Sequence, residues 1–291
     1  MPLPPALTDA LAPHLGGAIR RAAAVGGGCI AHATRVETDG GVYFLKYGRE
    51  AVAATFEAEA AGLAALREAG SPLRIPAVRA VAPEQDGRPG FLLMDWIEQA
   101  APSPAFWDGF GRGLAALHRR TDSRYGFGRD NFIGRLPQEN GWEARWPAFF
   151  RRRRLEPQVA RARRQGRWPA AWDPLLDALY ARLDALLPPE PPASVLHGDL
   201  WSGNALAAAD GRAALIDPAT YYGHREADLA MTELFGGFDA RFYDAYRAAW
   251  PLEPGYPERR AVYNLYHLIN HLNHFGGGYA GGVERTLRRF G

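Results

Sequence analysis

An amide and a carboxylate, Asn204 and Asp217, are spaced so that they could hold a divalent cation together. Asp217 follows Asn204 by thirteen positions, and Asp210-Gly211 lies between two short apolar runs, as in a two-residue β-hairpin turn. In that register Asn204 faces Asp217, and such partners have Cβ atoms roughly 4.5 to 5.5 Å apart. Mg²⁺ needs only one or two protein oxygens when water and phosphates complete its shell. The pair is therefore predicted to bind Mg²⁺.

Asp199 lies five positions before Asn204 and is the candidate catalytic base. A carboxylate at this place can orient an attacking hydroxyl and accept its proton. An aspartate before a hairpin is more often a turn former, and His-Gly-Asp alone occurs by chance. However, the full order of His197, Asp199, Asn204 and Asp217 is that of the protein-kinase catalytic loop and its metal-binding aspartate. The constellation favours a phosphotransferase.

Lys46 is the only lysine in the sequence and ends an apolar strand predicted over 41–47. A compact ammonium is suited to clamping nucleotide phosphates, which is the role of the strand lysine in kinases. A helix predicted over 49–69 follows. Glu59 completes the apolar stripe of that helix and is predicted to pair with Lys46, because burying either charge alone would be costly.

Two further segments are candidates for nucleotide binding. Gly26, Gly27 and Gly28 lie between two strand-like runs, where glycines allow the backbone to approach phosphate oxygens, although they do not follow the G-x-G-x-x-G pattern. The residues that leave the last strand of this region are predicted to form a hinge whose backbone groups bond adenine: Met94, Asp95, Trp96 and Ile97. Together with Lys46 they predict that ATP is bound.

The order of elements indicates an α+β protein with a two-lobed, protein-kinase-like fold. A small β-rich N-terminal lobe with one main helix is predicted over 1–95, and a larger, mostly helical C-terminal lobe over 96–291. The helices of the second lobe are predicted at 104–120, 142–165, 171–186, 224–235, 240–250 and 258–275. Apolar residues make up 47% of the chain, which is enough for two cores.

The charge and the single cysteine limit the location and the partners. The net charge of +2 gives no reason to expect nucleic acid, and the arginines at 151–154 are interpreted as a solvated helix face. No apolar run reaches the ~20 residues of a membrane span, and the first residues lack the pattern of a signal peptide, so a cytoplasmic location is expected. Cys29, as the only cysteine, excludes an intrachain disulfide.

The last predicted helix carries a stripe of imidazoles and an amide: Asn264, His267, His271 and His274. These groups are suited to hydrogen bonds with a polyhydroxylated ligand, so the three histidines are candidate substrate residues. His267 and His271 are also spaced for zinc, but no third ligand is evident. His118 is interpreted as a packed, hydrogen-bonded histidine.

The chain resembles a bacterial member of the fructosamine kinase (ketosamine kinase) family, within the aminoglycoside-phosphotransferase-like kinases. The resemblance covers nearly the whole chain and depends on segments 26–29, 56–59, 126–134, 197–204, 217–230 and 265–279. It implies phosphorylation by ATP of a sugar hydroxyl, typically O3 of a ketosamine, whose product decomposes and releases the amine. That would be a deglycation repair role.

The resemblance also implies residue roles. Asp199 would be the base, Asn204 and Asp217 the Mg²⁺ ligands, and Lys46 with Glu59 the phosphate clamp. In addition, Trp201 would offer an apolar face to the sugar, and Asp228 would hold the catalytic loop.

Some points depart from this pattern or remain open. Asp217-Pro218-Ala219 is not the D-F-G of protein kinases, so no activation-loop regulation is expected. In some relatives the position of Cys29 is redox-sensitive, which predicts a monomer or a homodimer joined through Cys29. The alternatives are a kinase for an aminoglycoside, choline or another sugar, and a catalytically inactive kinase-fold binding protein.

Overall fold

The computed structural model describes residues 3–26 and 31–291. The described residues up to position 95 form two helices and one sheet. In chain order these are α1 (Pro5–Leu11), β1 (Ile19–Ala24), β2 (His32–Thr38), β3 (Gly41–Gly48), α2 (Ala53–Glu68), β4 (Val78–Ala82) and β5 (Gly90–Asp95). The strands form a five-stranded antiparallel sheet in the order β1-β2-β3-β5-β4 within the described ranges.

This sheet is covered on both faces, and the alternation of side chains along β3 decides which residue meets which helix. Leu45 packs with Leu7 and Leu11 of α1 in one apolar cluster. Lys46 points to the opposite face, where its cross-strand partner Leu92 packs against α2. The period of two therefore directs the lysine towards α2.

Helix α2 begins at Ala53, four positions later than predicted. Glu50 has a left-handed backbone with φ of 52°, which is incompatible with a right-handed helix, and its N–H donates to Glu84 over 2.6 Å. The chain therefore makes a turn between Lys46 and the helix. Apart from this end, the helix covers the predicted segment.

The remainder of the chain is mainly helical. Its helices are α3 (Pro104–His118), α4 (Trp146–Phe149), α5 (Glu156–Arg164), α6 (Asp173–Leu186), α7 (Glu226–Leu234), α8 (Ala240–Ala249), α9 (Tyr256–Phe275) and α10 (Ala280–Phe290). Its strands are β6 (Thr121–Asp122), β7 (Asn131–Ile133), β8 (Leu136–Gln138), β9 (Ala193–Leu196), β10 (Ala205–Ala207), β11 (Ala213–Leu215) and β12 (Tyr221–His224). Strand β9 lies between β12 and β6, while β7–β8 and β10–β11 are separate hairpins.

The long helix predicted over 142–165 is interrupted by a π-helical turn, Phe150–Leu155, between α4 and α5. Pro157 has no N–H to donate into the preceding turn, and the Glu156 N–H reaches back five residues to the Arg151 carbonyl. The prediction of a solvated face was wrong for Arg154. Its side chain is fully buried and its guanidinium lies 3.9 Å from the ring centre of Tyr221.

The core of this lobe follows from amphipathic helices that pack on the central strands. Helix α10, which the sequence analysis did not predict, buries one face with Val283, Leu287 and Phe290. Helix α9 packs against α7, α5 and α10, so it lies at the centre of the lobe. No helix of the described ranges is long and apolar enough to cross a membrane.

Candidate active site

Lys46 stands between two carboxylates that come from different parts of the chain. Its Nζ donates to Glu59 Oε1 of α2 over 2.8 Å, and it also donates to Asp217 Oδ1, just after β11. The predicted contact between Lys46 and Glu59 is therefore present. Strand β3 and helix α2 belong to the N-terminal lobe, whereas β11 belongs to the C-terminal lobe. This charged cluster of Lys46, Glu59 and Asp217 therefore connects the two lobes.

Burial and charge act in opposite directions on this cluster. Burial opposes the charged form of Lys46, but Glu59 and Asp217 outweigh it and raise the pKa of the ammonium above its usual value. Burial raises the pKa of Glu59 to about 7 although Lys46 opposes the shift, because Asp217 adds a second negative charge. One lysine thus serves two carboxylates, which leaves the cluster with excess negative charge.

The β10–β11 hairpin brings Asn204 and Asp217 to the same end, but in a register shifted by one residue from the predicted one. Ala205 pairs with Leu215 rather than Ile216, and the turn has three residues, with Gly211 in the left-handed region at φ of 82°. Such three-residue turns are common where a glycine follows a type I turn. The cross-strand neighbour of Asn204 is therefore Ile216, whose N–H donates to the Asn204 carbonyl over 3.1 Å.

Asp217 itself has a left-handed backbone, with φ of 54°. This conformation is unfavourable for a residue with a Cβ, although aspartate tolerates it better than most. Its side chain is 45% exposed. The turn thus directs an accessible carboxylate away from the strand line and onto Lys46.

Asp199 and Asn204 are in direct contact. The Asn204 Nδ2 donates to the Asp199 carbonyl over 2.8 Å and to its carboxylate over 3.3 Å. Burial raises the pKa of Asp199 to about 7, and the negative charges of Asp217 and Asp228 add to the shift that the Asn204 hydrogen bond opposes. A carboxylate with this pKa is suited to accept a proton near neutral pH.

The donor set fits a hard divalent cation. Both amide protons of Asn204 face Asp199, so its Oδ1 is left as an acceptor, and it receives no hydrogen bond from the described residues. The Asp217 carboxylate supplies a second oxygen. Within ranges 3–26 and 31–291 no group of three or more His, Cys, Asp or Glu residues could hold a metal. Two protein oxygens are what Mg²⁺ uses when phosphates complete its shell.

His197 connects the candidate catalytic loop, residues 197–204, to the β10–β11 hairpin. Its Nε2–H donates to the Ile216 carbonyl over 2.8 Å, and its Nδ1 accepts the Asp199 N–H over 3.2 Å. Burial lowers the pKa of His197, so the ring stays neutral and keeps this tautomer. His197 thus links Asp199 to Ile216, the residue before Asp217, a role that the motif alone did not reveal.

Asp228 anchors the same loop from the first turn of α7. It accepts the backbone N–H groups of His197 and Gly198 over 2.7 and 2.8 Å, and His118 Nε2–H over 3.2 Å. Although burial opposes ionisation, these donors hold the pKa of Asp228 below its usual value. We call His118, His197, Gly198 and Asp228 the loop anchor. His118 is packed and hydrogen-bonded, as predicted.

Glycine is required at two positions of the loop. Gly198 has φ of 83°, and a Cβ there would lie 2.1 Å from the Ala219 carbonyl oxygen. At Gly203 a Cβ would lie 2.4 Å from the ring of Trp201. The loop therefore packs tightly against the segment after Asp217. The ring of Trp201 packs over Gly203, and 39% of the Trp201 surface stays exposed.

The nucleotide segments are only partly described. Gly26 precedes the range 27–30, so Gly27, Gly28 and Cys29 lie outside the described residues. At the predicted hinge, the N–H groups of Asp95 and Trp96 donate to the carbonyls of Ala77 and Val42. The Ile97 N–H donates to no acceptor in the described part of the chain. Met94 is buried within the sheet.

The histidine stripe of α9 is packed rather than solvated. Asn264 donates to the Ala230 carbonyl, His271 to that of His267, and His274 to that of Ile133. His267 is 4% exposed and its Nδ1 has no partner in the described structure. Burial and the neighbouring His271 lower the pKa of His267 to about 3, so it is neutral.

The rings of the stripe contact aromatic neighbours. His267 packs against Tyr266, with ring centres 5.0 Å apart. The ring of His271 packs against Phe235 at 4.7 Å and Tyr279 at 5.0 Å. A role of these histidines in substrate binding stays a prediction.

A set of buried polar residues that bond to the segment after Asp217 was not predicted from the sequence. We call Asn131, Gln138, Asn140, Arg154 and Tyr266 the amide network; each is buried. They are joined by hydrogen bonds that end on the carbonyls of Ala219 and Thr220. A signal was present in Asp130-Asn131-Phe132-Ile133-Gly134, which entered only as part of the resemblance.

The comparisons with known proteins agree in one family. The family model for fructosamine kinase matches residues 5–290. A probable ketoamine kinase of Synechocystis sp. is 40% identical over 274 residues, covering 93% of this chain and 90% of the relative. A chloroplastic protein-ribulosamine 3-kinase of Oryza sativa subsp. indica is 38% identical over 261 residues, covering 88% of this chain and 74% of the relative.

Solved structures extend the agreement to the fold. A candidate fructosamine-3-kinase from Thermobifida fusca has a TM-score of 0.86 at 34% identity, with 97% of both chains covered. A thermostable mutant of the aminoglycoside phosphotransferase APH(4)-Ia has a TM-score of 0.67 at 16% identity, covering 96% of this chain and 97% of that one, and shows the fold alone. The two-lobed α+β, protein-kinase-like fold is thus confirmed, and the chain belongs to the fructosamine kinase family.

Proposed function

We propose that this protein transfers the γ-phosphoryl group of ATP to a sugar hydroxyl, O3 of a ketosamine such as a fructosamine or ribulosamine adduct. The observation that carries the proposal is the meeting of Lys46, Glu59 and Asp217 beside Asp199 and Asn204. The names of the similar proteins, ketoamine kinase and protein-ribulosamine 3-kinase, support the substrate class.

In this proposal ATP lies between the lobes, whose boundary we place between residues 95 and 96. The Ile97 N–H, which has no acceptor among the described residues, is the candidate donor to adenine, while the Asp95 and Trp96 N–H groups are already used within the protein. Gly26, Gly27 and Gly28 would cover the phosphates. Lys46, held by Glu59, would bind the phosphate oxygens as a point charge.

Asn204 Oδ1 and the Asp217 carboxylate would hold Mg²⁺. When bound, the ion neutralises phosphate charge and favours the departure of ADP. Glu59 would hold the Lys46 ammonium in place, so that its position does not depend on Asp217 alone. The site then balances the negative charge of the nucleotide with groups that the fold has already oriented.

Asp199 would act as the base. The acceptor hydroxyl oxygen forms a bond to the γ-phosphorus, the bond from that phosphorus to the ADP oxygen breaks, and the hydroxyl proton passes to Asp199. The raised pKa of about 7 makes this carboxylate a better proton acceptor than an ordinary aspartate. The Asn204 amide and the His197 ring hold the loop at both sides of the base.

The acceptor would lie against the exposed ring of Trp201, with His267, His271 and His274 as candidate hydrogen-bonding groups. The product is expected to decompose and release the amine, which gives the protein a deglycation repair role in the cytoplasm. A homodimer through Cys29, in place of a monomer, stays a prediction, because Cys29 lies outside the described residues.

A panel assay tests this function. ADP release with Mg-ATP would be measured on ribulosamine, erythrulosamine and fructosamine adducts, aminoglycosides and choline, with Asp199→Asn as the control. Turnover on ketosamines that the variant loses is the expected result. Turnover only on aminoglycosides or choline would contradict the substrate class, and no turnover with intact nucleotide binding would favour a binding protein.

A further inference from the structure

The segment after Asp217 is held by buried amide side chains. Asn131 Nδ2 donates to the Thr220 carbonyl over 2.8 Å, and Gln138 Nε2 donates to the Ala219 carbonyl over 3.0 Å. These carbonyls lie two and three residues after Asp217 and are fully buried. Two consecutive backbone groups next to the candidate metal ligand are thus fixed by side chains.

The amides are joined to one another, and all their polar atoms are used. Gln138 Nε2 and Asn140 Nδ2 both donate to Asn131 Oδ1, over 2.8 and 2.9 Å. Asn140 Nδ2 also reaches the Arg129 carbonyl over 3.1 Å. Since an amide can be reversed by half a turn of its side chain, the direction of this chain of bonds must be set at its ends.

Arg154 and Tyr266 set that direction. A guanidinium can only donate, and Arg154 donates to Asn140 Oδ1 over 2.7 Å. This turns Asn140 Nδ2 towards Asn131 Oδ1, which in turn leaves Asn131 Nδ2 for Thr220. At the other end the Tyr266 hydroxyl donates to Gln138 Oε1 over 2.6 Å, so that Gln138 Nε2 faces Ala219. Both ends therefore direct N–H groups onto the segment after Asp217.

A core filled with such a network carries a large desolvation penalty. Arg154 is fully buried, and in the described part of the chain it forms no salt bridge with a carboxylate. Its charge is instead compensated by the Glu139 carbonyl at 2.6 Å and by aromatic faces. Aliphatic side chains of similar volume would avoid this desolvation penalty. The network is therefore better explained by what it positions than by the stability that it adds.

We propose that the amide network positions Asp217 for Mg²⁺, with Arg154 and Tyr266 as positioning residues that set its polarity. Asp217 has an unfavourable left-handed backbone. The turn is held in this conformation by the two fixed carbonyls and by the Ala219 N–H, which donates to the His197 carbonyl over 2.9 Å. The metal-binding turn would thus be held permanently in place. This inference rests on the proposed function, because Mg-ATP is the ligand.

The test separates metal-linked nucleotide binding from stability. ATP affinity would be measured by calorimetry in EDTA and in Mg²⁺ for wild type, Gln138→Met and the control Asn273→Leu. Asn273 is also buried in the same lobe, but its amide donates to Gln158 and not to Ala219 or Thr220. Tyr266→Phe, which removes one hydroxyl, is the milder variant should Gln138→Met not fold.

The expected result is that Gln138→Met binds ATP in EDTA like the wild type but loses about 10- to 100-fold in affinity when Mg²⁺ is present, as for other residues that support metal ligands. Tyr266→Phe should show a smaller loss of the same kind, and Asn273→Leu none, whatever its melting temperature. Equal Mg²⁺-linked affinity in Gln138→Met and wild type, or an equal loss in Asn273→Leu, would overturn the inference. Wild type that gains no affinity from Mg²⁺ would instead overturn the proposed metal site.

Discussion

Asp199 of the catalytic loop, which is partly buried, and the fully buried Asp228 of α7, which anchors that loop, have pKa values shifted in opposite directions. Asp228 accepts three hydrogen bonds, from two backbone N–H groups and His118, and its pKa is lowered despite burial. In the described part of the chain the Asp199 carboxylate accepts only the 3.3 Å bond from Asn204, and burial, together with the charge of Asp217, raises its pKa to about 7. The difference separates an anion that holds the fold from a carboxylate that is free to take a proton.

The surroundings of the two aspartates also differ in exposure and charge. The loop anchor around Asp228 is closed, satisfied and remote from solvent, whereas the charged cluster around Lys46 is partly open and has more negative than positive charge. Variants in the cluster are therefore expected to change catalysis with little effect on stability. Variants in the anchor should change both.

Asp217→Asn is expected to have the largest effect. It removes the charge of the proposed Mg²⁺ ligand from the charged cluster, so kcat should fall by about 10³-fold or more, in line with several kcal/mol of metal-dependent stabilisation. The melting temperature should stay within a few degrees of the wild type, because the side chain is 45% exposed. Steady-state kinetics across a Mg²⁺ series and thermal unfolding check both parts. A large loss of stability would remove the contrast with the anchor.

Asp228→Asn is expected to reduce stability as well as turnover. An asparagine cannot accept all three hydrogen bonds as an anion does, and breaking such a buried charged group typically costs about 3–5 kcal/mol. The free energy of unfolding from urea titration measures this loss. Asp244→Asn, on the exposed face of α8, is the control and should leave stability unchanged. Unchanged stability in Asp228→Asn would contradict its role as the anchor.

Lys46→Arg should weaken nucleotide binding without unfolding the N-terminal lobe. The planar guanidinium is larger than an ammonium and cannot reproduce a point charge held between Glu59 and Asp217. We expect ATP affinity to fall about 10-fold, which corresponds to about 1.4 kcal/mol. Isothermal calorimetry with Mg-ATP is the measurement. Arginine that supports wild-type affinity would show that the site needs only a positive charge.

His267→Gln tests the buried neutral imidazoles. The folded pKa of His267 is depressed to about 3, so its stabilisation is present above the ordinary pKa of 6.5 and is lost as the pH falls, when the unfolded chain takes up a proton. Relative to His267→Gln, the wild type should therefore lose about 1.4 kcal/mol between about pH 7.5 and about pH 5.5. Urea unfolding of both proteins at the two pH values gives the difference. A difference that does not change with pH would show that His267 titrates normally in the fold.

The parts of the site that could be predicted are those with short-range sequence patterns. Strand alternation directed Lys46 to α2, and helical spacing placed Glu59 opposite it, as found. The hairpin register was wrong by one residue because Asp-Gly also suits a three-residue turn with glycine in the left-handed region. Sequence alone does not decide between these turns, and Asp217 reaches Lys46 only through its own left-handed backbone.

The amide network shows what a single sequence does not reveal. Its residues come from β7, β8, the loop after β8, the π-helical turn and α9, and nothing in their local patterns indicates that they are buried together. Arg154 lies among four consecutive arginines, and only the π-helical turn, prompted by Pro157, separates it from its solvated neighbours. Long-range packing therefore determined the part of the site that the sequence analysis missed.

The most direct test of the proposed chemistry is the identity of the product. Wild type and Asp199→Asn would be incubated with Mg-ATP and a fructosamine, and the product examined by phosphorus and carbon NMR. The account predicts a phosphate ester at O3 of the sugar with wild type, and a rate lower by about 10²- to 10⁴-fold with Asp199→Asn. A phosphate on another atom, or equal rates for both proteins, would contradict it.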